Sequence, residues 1–221
     1  NEYLKKPYLK KKRKSIKFVI AQNLKTMLEG MFYDCVNLEL VLMPNLERIQ
    51  DVQLGKWDGS FTGTALTEIY FPKLMYAGSY AFYSCTQAVS ANLPLCVEIG
   101  SYCFYHCVEI KSVYLRSAKT LGEGAFMDCE FLGSLIIPSV EKIGQQCIIF
   151  CNMLQLIDCQ ANADEFQCGK WCKENKRCPV CKGELPLCFQ RAKQQHLLEK
   201  YRKQQSLLGE IFECLKISKA N

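Results

Sequence analysis

One eight-residue stretch of this 221-residue chain returns at a fixed interval. It reads Gly-Ser-Tyr-Ala-Phe-Tyr-Ser-Cys at residues 78–85, and related stretches follow at 100–107 and 122–129, each 22 residues after the last. A period of this size is typical of solenoids, in which each repeat buries its apolar side against its neighbours. We therefore expect stacked short repeats, with function located on their faces and at their ends.

Apolar residues recur in phase with this stretch and predict one short strand in each repeat. Val113 and Leu115 stand two residues apart, as inward-facing side chains of a strand must, and Pro94 and Pro138 mark where strands should end. The first of these inward positions is filled by Val19, Val41, Ile69, Ala91, Val113, Leu135 and Ile157. The pattern predicts six to seven repeats over residues 16–159, with an insertion near residues 50–60 that contains Trp57.

The turn after each strand has its own regular features. A glycine opens it (Gly78, Gly100, Gly122, Gly144), which we expect to adopt a positive φ. An aromatic-x-x-Cys step follows in most copies: Phe32/Cys35, Phe82/Cys85, Phe104/Cys107 and Phe126/Cys129. Most of the 15 cysteines recur in phase with the repeat, which indicates packing in the core rather than a disulfide framework.

The whole unit resembles a known repeat class. The pattern Leu-x-x-Ile-x-Ile-Pro-x-Val-x-x-Ile-Gly-x-x-Ala-Phe-x-x-Cys, which residues 122–129 and 132–143 carry almost completely, is similar to BspA-like leucine-rich repeats. The resemblance covers about residues 16–159 and implies a right-handed α/β solenoid with one parallel β-sheet, used for protein binding or adhesion. Members are not generally enzymes, and the chain shows no Gly-rich phosphate loop and no Ser/His/Asp set.

Outward-facing residues of the strands form the predicted partner-binding site. The position between the two inward residues holds Ile20, Leu42, Tyr70, Asn92, Tyr114 and Ile136, which should lie in one continuous stripe with neighbours about 4.8 Å apart. The last five of these are the predicted partner-binding residues. Aromatic residues are favoured at interfaces, although Tyr and Ile also suit any exposed strand. The hypothesis is a protein partner bound on this face, with no small-molecule substrate.

Charge divides the chain into three parts. Residues 1–25 carry nine basic residues (Lys or Arg) and one acidic residue (Asp or Glu). Residues 26–159 carry seven basic and fourteen acidic residues, and residues 160–221 carry twelve basic and seven acidic residues. Residues 1–15 are interpreted as a basic tail. Its run Lys10–Lys14 matches a nuclear-localisation or phosphate-binding pattern, and the alternative is that the run is simply solvated at the rim of the first repeat. Nucleic-acid binding is not expected outside that tail. No apolar run reaches the roughly 18 residues of a membrane span.

The repeat phase is lost after Cys159, and residues 160–186 form a cysteine-rich segment. Cys168, Cys172, Cys178 and Cys181 could hold one zinc ion, because zinc takes four soft ligands and Cys-x2-Cys is a common half site. The segment 168–182 also resembles the last part of a RING finger, although the other ligands of that fold are missing. A disulfide-bonded cap, which requires secretion, or free or redox-active thiols including Cys188 are the alternatives.

Residues 187–221 contain an amphipathic pattern, with Leu197, Leu198 and Tyr201 among apolar residues at spacings of three and four. This predicts a helix over 187–217 that caps the solenoid or pairs with a partner helix. The overall hypothesis is a non-catalytic interaction module. Its rivals are a zinc-dependent ubiquitin-ligase-type protein and a secreted or surface adhesion protein, and an intracellular location, in cytoplasm or nucleus, is slightly favoured.

Overall fold

A computed structural model describes residues 13–52, 57–154 and 156–159 of the chain. All of them lie in the first of the two units into which the chain divides, Asn1–Cys188. The described part is a solenoid in which each coil contributes one strand to a first side and a shorter strand to a second side. This confirms the stacked repeats that the 22-residue period predicts.

Thirteen strands make up the two sides in the described residues. The strands of the first side are β1 (Phe18–Ile20), β3 (Leu40–Leu42), β5 (Glu68–Tyr70), β7 (Ser90–Asn92), β9 (Ser112–Tyr114), β11 (Ser134–Ile137) and β13 (Leu156–Cys159). The two-residue strands of the second side are β2 (Thr26–Met27), β4 (Arg48–Ile49), β6 (Tyr76–Ala77), β8 (Glu98–Ile99), β10 (Thr120–Leu121) and β12 (Lys142–Ile143).

The strands form three parallel sheets rather than the single sheet expected. On the first side, β1 pairs with β3, and β5, β7, β9, β11 and β13 form a separate five-stranded sheet. The six short strands of the second side form an unbroken sheet of their own. Both sides form ladders because stacking equal coils brings every extended segment beside its equivalent in the next coil. The first side is interrupted at the coil that carries the insertion.

No α-helix occurs in the described residues, whose one helical element is a 3-10 turn at Arg13–Ser15. The α part of the expected α/β class is therefore not confirmed. A 22-residue coil that must supply two strands and the turns between them leaves no length for the three turns of an average α-helix. The predicted helix at 187–217 lies outside the described residues.

The third side of each coil is a column of turns, which we call the turn ridge. It comprises residues 30–35, 57–64, 78–85, 100–107, 122–129 and 144–151. Backbone hydrogen bonds connect successive turns, as from the Phe82 N–H to the Cys103 carbonyl at 2.9 Å and from the Phe104 N–H to the Ala125 carbonyl at 2.8 Å. Successive described coils are therefore bonded along the turn ridge and the second side, and also on the first side except between β3 and β5.

The predicted apolar ladders fill the space between these sides. Val113, Leu115 and their equivalents in the later coils are buried, whereas Val19 and Val41 in the first coils are half-buried. A column of stacked phenylalanine rings runs through the core behind the turn ridge. Its members are Phe32, Phe61, Phe82, Phe104 and Phe126, with neighbouring ring centroids 5.1 to 5.6 Å apart.

Phe61 is the member of this column that the sequence pattern misses. It lies 29 residues after Phe32 and 21 before Phe82, because the insertion precedes it and the coil is one residue short after it. Thr64 takes the place of the cysteine in this coil, and its hydroxyl lies 3.4 Å from the Cys85 thiol. The inserted segment therefore returns to the core at the aromatic position.

The glycines that open the turns have a different role from the one expected. Gly78, Gly100, Gly122 and Gly144 do not have positive φ. A Cβ on Gly100 would lie 2.3 Å from the Ser79 nitrogen, and one on Gly144 would lie 2.3 Å from the Glu123 nitrogen. These positions need glycine because the backbone of the preceding coil lies against them. The positive φ angles fall two residues further on, at Tyr80 and Tyr102 among others.

Candidate functional site

The first and third residues of each three-residue strand on the first side point outward, so the outward side chains lie in two rows. The predicted stripe is the row of third residues. Register pairs Tyr70 with Asn92, Asn92 with Tyr114 and Tyr114 with Ile136, as the predicted stripe requires. Tyr70, Asn92 and Tyr114 are half-buried. Because β3 and β5 belong to different sheets, Leu42 is aligned instead with Ile20 of β1. The stripe is thus divided between Leu42 and Tyr70.

Ile136 has the register predicted for it but not the exposure. Its side chain is only 5% exposed, and all four residues of β11 are buried, including Ser134 and Leu135 on opposite faces of the strand. The outward face is therefore accessible at β1 to β9 and covered at β11. Ile136 contributes to the core rather than to an open surface.

The strongest exposed feature of this face is a group of four large apolar side chains, which we call the N-terminal patch. Phe18 and Ile20 of β1 are 65% and 68% exposed, and Leu40 and Leu42 of β3 are 49% and 37% exposed. Phe18 pairs with Leu40 and Ile20 with Leu42. Ile20 and Leu42 lie in the predicted stripe, and Leu42 is one of its predicted site residues, whereas Phe18 and Leu40 were not predicted. The continuous apolar runs at residues 18–20 and 40–42, which place apolar side chains on both faces of a strand, are the signal that could have identified them.

The in-phase cysteines are core groups with a specific partner. The thiols of Cys107, Cys129 and Cys151 each donate to the carbonyl of the phenylalanine 25 residues earlier, at 3.1 Å. All nine cysteines of the described residues are buried thiols. Burial raises the pKa of the Cys96 and Cys147 thiols to about 12, which keeps them protonated and unreactive at neutral pH.

His106 does not form a catalytic pair with the adjacent cysteine. Its Nδ1 lies 2.6 Å from Asp128 Oδ2 at the surface of the turn ridge, whereas the Cys107 thiol points to the Phe82 carbonyl inside the core. A thiol with this partner and a pKa raised by burial is not an activated nucleophile. The histidine and carboxylate therefore form a surface pair between neighbouring coils.

Part of the basic N-terminal run contacts the first coil. The Arg13 guanidinium donates from Nη2 to the Gly30 carbonyl at 3.1 Å and lies over the Tyr33 ring, 5.4 Å from its centroid. Asn37 donates to the Lys14 carbonyl at 2.6 Å. These contacts place the end of the run against the rim of the solenoid. Lys10, Lys11 and Lys12 lie outside the described residues.

The proposed metal ligands Cys168, Cys172, Cys178 and Cys181 also lie outside the described residues, as does Cys188. Zinc binding, the resemblance of residues 168–182 to a RING finger and the disulfide-bonded cap thus stay predictions. Within residues 13–52, 57–154 and 156–159, no group of three or more His, Cys, Asp or Glu could hold a metal ion. The same described ranges contain no helix long and apolar enough to cross a membrane.

Two solved structures are similar to part of this chain, and the first of them supports the fold assignment. A leucine-rich repeat protein of T. pallidum is 27% identical, with a TM-score of 0.53, over 64% of this chain and 66% of that one. A leucine-rich repeat protein from Bacteroides ovatus is 25% identical, with a TM-score of 0.47, over 64% of this chain and 42% of that one. The chain thus spans less than two thirds of either structure. No curated protein sequence matches it significantly.

The family comparison covers most of the chain. The model of the BspA type leucine-rich repeat region matches in six copies over residues 3–54 and 57–174. These ranges include every described coil, with its strands, its phenylalanine column and its glycine contacts. The chain belongs to the BspA-type leucine-rich repeat family.

Proposed function

We propose that the chain is a non-catalytic protein-binding module whose partner docks on the outward face of β1 to β9. The carrying observation is the N-terminal patch, in which four large apolar side chains are exposed side by side. Exposed apolar surface of this kind on a water-soluble fold marks an interaction site more often than an idle surface. Leucine-rich repeat solenoids typically serve as interaction or adhesion scaffolds, which agrees with this assignment.

The rest of the face supplies polar and aromatic groups around the patch. Tyr70, Asn92 and Tyr114 continue it along the five-stranded sheet, and tyrosine combines apolar contact area with a hydroxyl. Glu39, Glu68 and Glu109 are exposed near the strand starts and favour a partner with a basic rim. An apolar anchor with a polar surround is the usual composition of a protein interface.

Two double variants test the proposal by quantitative recovery of partners from the source cell. Ile20→Ser with Leu40→Ser alters the patch, and Tyr70→Ala with Tyr114→Ala alters its continuation. The matched control is Leu95→Ser with Val97→Ser, whose residues are as exposed (51% and 44%) but lie outside the face, near β8. Partners bound by wild type and control should be lost from both test variants. An unchanged partner set in the test variants would exclude this face as the docking site.

A further inference from the structure

The turn ridge carries four tyrosines arranged as a two-by-two grid, which we call the tyrosine platform: Tyr80, Tyr83, Tyr102 and Tyr105. Between coils, the Tyr80 and Tyr102 rings stack at 5.3 Å and the Tyr83 and Tyr105 rings lie at 5.3 Å. Within a coil, the centroids of Tyr80 and Tyr83 are 5.9 Å apart, and those of Tyr102 and Tyr105 are 6.0 Å apart. All four side chains are half-buried, so each still offers part of its ring to solvent.

Trp57 of the insertion extends the platform at one end. Its ring lies 6.0 Å from Tyr80 and 5.9 Å from Tyr83, and 56% of the residue remains exposed. At the other end the Tyr102 ring covers Gly124, where a Cβ would lie 2.5 Å from its Cε1. The result is a row of aromatic side chains across three coils, on a different side of the solenoid from the strand face.

Two platform residues have a backbone conformation that side chains of this size rarely adopt. Tyr80 and Tyr102 have φ of 59° and 54°, at positions that Gly30 and Gly124 fill in other coils. The left-handed region costs a non-glycine residue about 1 to 2 kcal/mol. Glycine would relieve that cost and leave the coil contacts intact, whereas tyrosine keeps a ring at the surface. Gln146 has a φ of 56° at the same position of a later coil, so the turn imposes this conformation and the side chain decides which group reaches the surface.

The charged residues around the platform are mainly acidic. The six segments of the turn ridge contain Asp34, Asp58, Glu123 and Asp128 and no Lys or Arg, with His106 paired to Asp128. The Tyr102 hydroxyl donates to Glu123 at 2.6 Å, and this bond raises the pKa of Tyr102 to about 12, so the ring stays neutral. Aromatic faces beside carboxylates attract cations, and arginine in particular stacks on such rings while its fork meets a carboxylate.

The chain already uses this contact twice near the platform. The Arg48 guanidinium lies 3.8 Å from the centroid of the Tyr76 ring, and the hydroxyl of that ring bonds the Asp51 carboxylate. Arg13 lies 5.4 Å from the centroid of Tyr33, the ridge tyrosine of the first coil, beside Asp34. The third arginine of the described residues, Arg116, belongs to the turn after β9 on another side. The platform thus has the tyrosine rings and the nearby carboxylate of this arrangement, which the chain completes with its own arginine at Tyr76 and Tyr33.

We propose that the tyrosine platform binds an arginine-rich segment of a partner protein, with guanidinium groups on the rings and contacts to Glu123 and its neighbours. Ring centroids lie 5.3 to 6.0 Å apart, close to the roughly 6.6 Å between alternate residues of an extended chain. A segment with arginine at every second residue therefore fits the grid. This site is independent of the sheet face and would persist if that proposal failed.

The test measures binding of a labelled peptide that alternates Gly and Arg, beside the Gly-Lys peptide of equal charge, at physiological salt. The Arg peptide should bind more tightly. Tyr80→Ala with Tyr102→Ala should weaken it about tenfold, equivalent to about 1.4 kcal/mol. Tyr80→Phe with Tyr102→Phe keeps the rings and should retain most affinity, and Tyr70→Ala with Tyr114→Ala on the sheet face should have no effect. Equal binding of both peptides, or wild-type affinity of the alanine variant, would overturn the proposal.

A measurement on the unaltered chain covers the case in which the alanine variant does not fold. The chain is labelled with 13C in its tyrosine rings, and resonances are assigned through single Tyr→Phe variants. Addition of the Arg peptide should shift the signals of Tyr80, Tyr83, Tyr102 and Tyr105. A titration that moves other tyrosines and leaves these four in place would contradict the proposal.

Discussion

Each turn-opening glycine is held at its position by the backbone of the coil before it. A Cβ on Gly100 would lie 2.3 Å from the Ser79 nitrogen, which cannot move aside as a flexible side chain could. Gly133, by contrast, has its nearest neighbour at 3.5 Å, the Lys111 carbonyl oxygen. The two glycines therefore differ in contact distance.

Gly100→Ala should lower the free energy of unfolding by about 2 to 3 kcal/mol, because the added methyl forces two coils apart. Gly133→Ala should stay within about 1 kcal/mol of wild type, since an ordinary contact and a stiffer unfolded chain nearly cancel. Urea unfolding followed by circular dichroism measures both. Equal stability of the two variants would show that the coils separate without cost.

Asp51 gives one residue-scale dependence on pH. Burial alone would raise its pKa, but bonds from the Ser79 backbone N–H and the Tyr76 hydroxyl, with Arg48 nearby, lower the pKa below its usual value. A carboxyl with a lowered folded pKa stabilises the fold above its unfolded pKa of about 3.9 and loses that contribution as pH falls through the folded value.

Asp51→Asn should therefore be less stable than wild type at pH 7, by at most about 1 kcal/mol because the side chain is exposed. The difference should shrink as pH falls from about 5 to 3, as the wild-type carboxyl takes up its proton. Thermal unfolding at a series of pH values measures this. A difference that does not change over that interval would assign the effect to shape rather than charge.

At the scale of elements, the turn with its aromatic and cysteine is the unit that joins coils. Phe104 stacks on Phe82 and Phe126 at 5.1 and 5.3 Å, and the Cys129 thiol donates to its carbonyl. Ile148 occupies the same position in the last coil and is also buried, so the position accepts a branched aliphatic residue. The chain thus contains both phenylalanine and isoleucine at equivalent buried positions of the column, which allows the two side chains to be compared.

Phe104→Ala should cost about 3 to 5 kcal/mol, because it leaves a cavity between two stacked rings. Phe104→Ile should cost clearly less, since it fills most of that volume and loses mainly the ring–ring contacts. Chemical unfolding of both variants checks the order. If both lose the same stability, the column acts through aromatic stacking alone and not through volume.

The cysteine-rich segment is a second element with a direct test. If Cys168, Cys172, Cys178 and Cys181 form a zinc site, the purified chain should contain about one zinc ion, and Cys178→Ser should lose it. Elemental analysis after dialysis measures the ratio, with Cys129→Ser as a control that alters only a core thiol. A chain without bound zinc would remove both the metal site and the RING-like alternative.

The whole molecule protects its core thiols by stacking rather than by disulfides. The chain has 15 cysteines, nine of them buried thiols in the described residues, which leaves six others. Burial raises the pKa of the Cys35 thiol to about 11 and of Cys103 well above its usual value. Thiolate, the reactive form, is therefore scarce at Cys35 and Cys103 at neutral pH.

Alkylation of the native chain at pH 7 should modify six thiols at most, and denaturation should make the nine core thiols reactive. Mass spectrometry with peptide mapping counts them, and Cys107 and Cys129 are the positions to follow. Rapid modification of these two in the native chain would show that coils open far more readily than three-sided bonding implies.

The sequence alone determined the repeat, its period, the inward ladders and the packing role of the in-phase cysteines. These features depend on residues within one coil, and a periodic apolar pattern states them directly. Val113, Leu115 and Cys107 accordingly lie where the pattern predicts. The family follows from the same pattern.

Only the tertiary structure decided which residues of each coil contact the neighbouring coils and which stay exposed. It separated the sheet at the insertion, buried Ile136, returned Phe61 to the core and assigned Gly100 to a close approach. It also exposed Phe18 beside Leu40. Each of these depends on the contact between residues about 22 or more positions apart, which is set by how coils stack and not by the composition of any one of them.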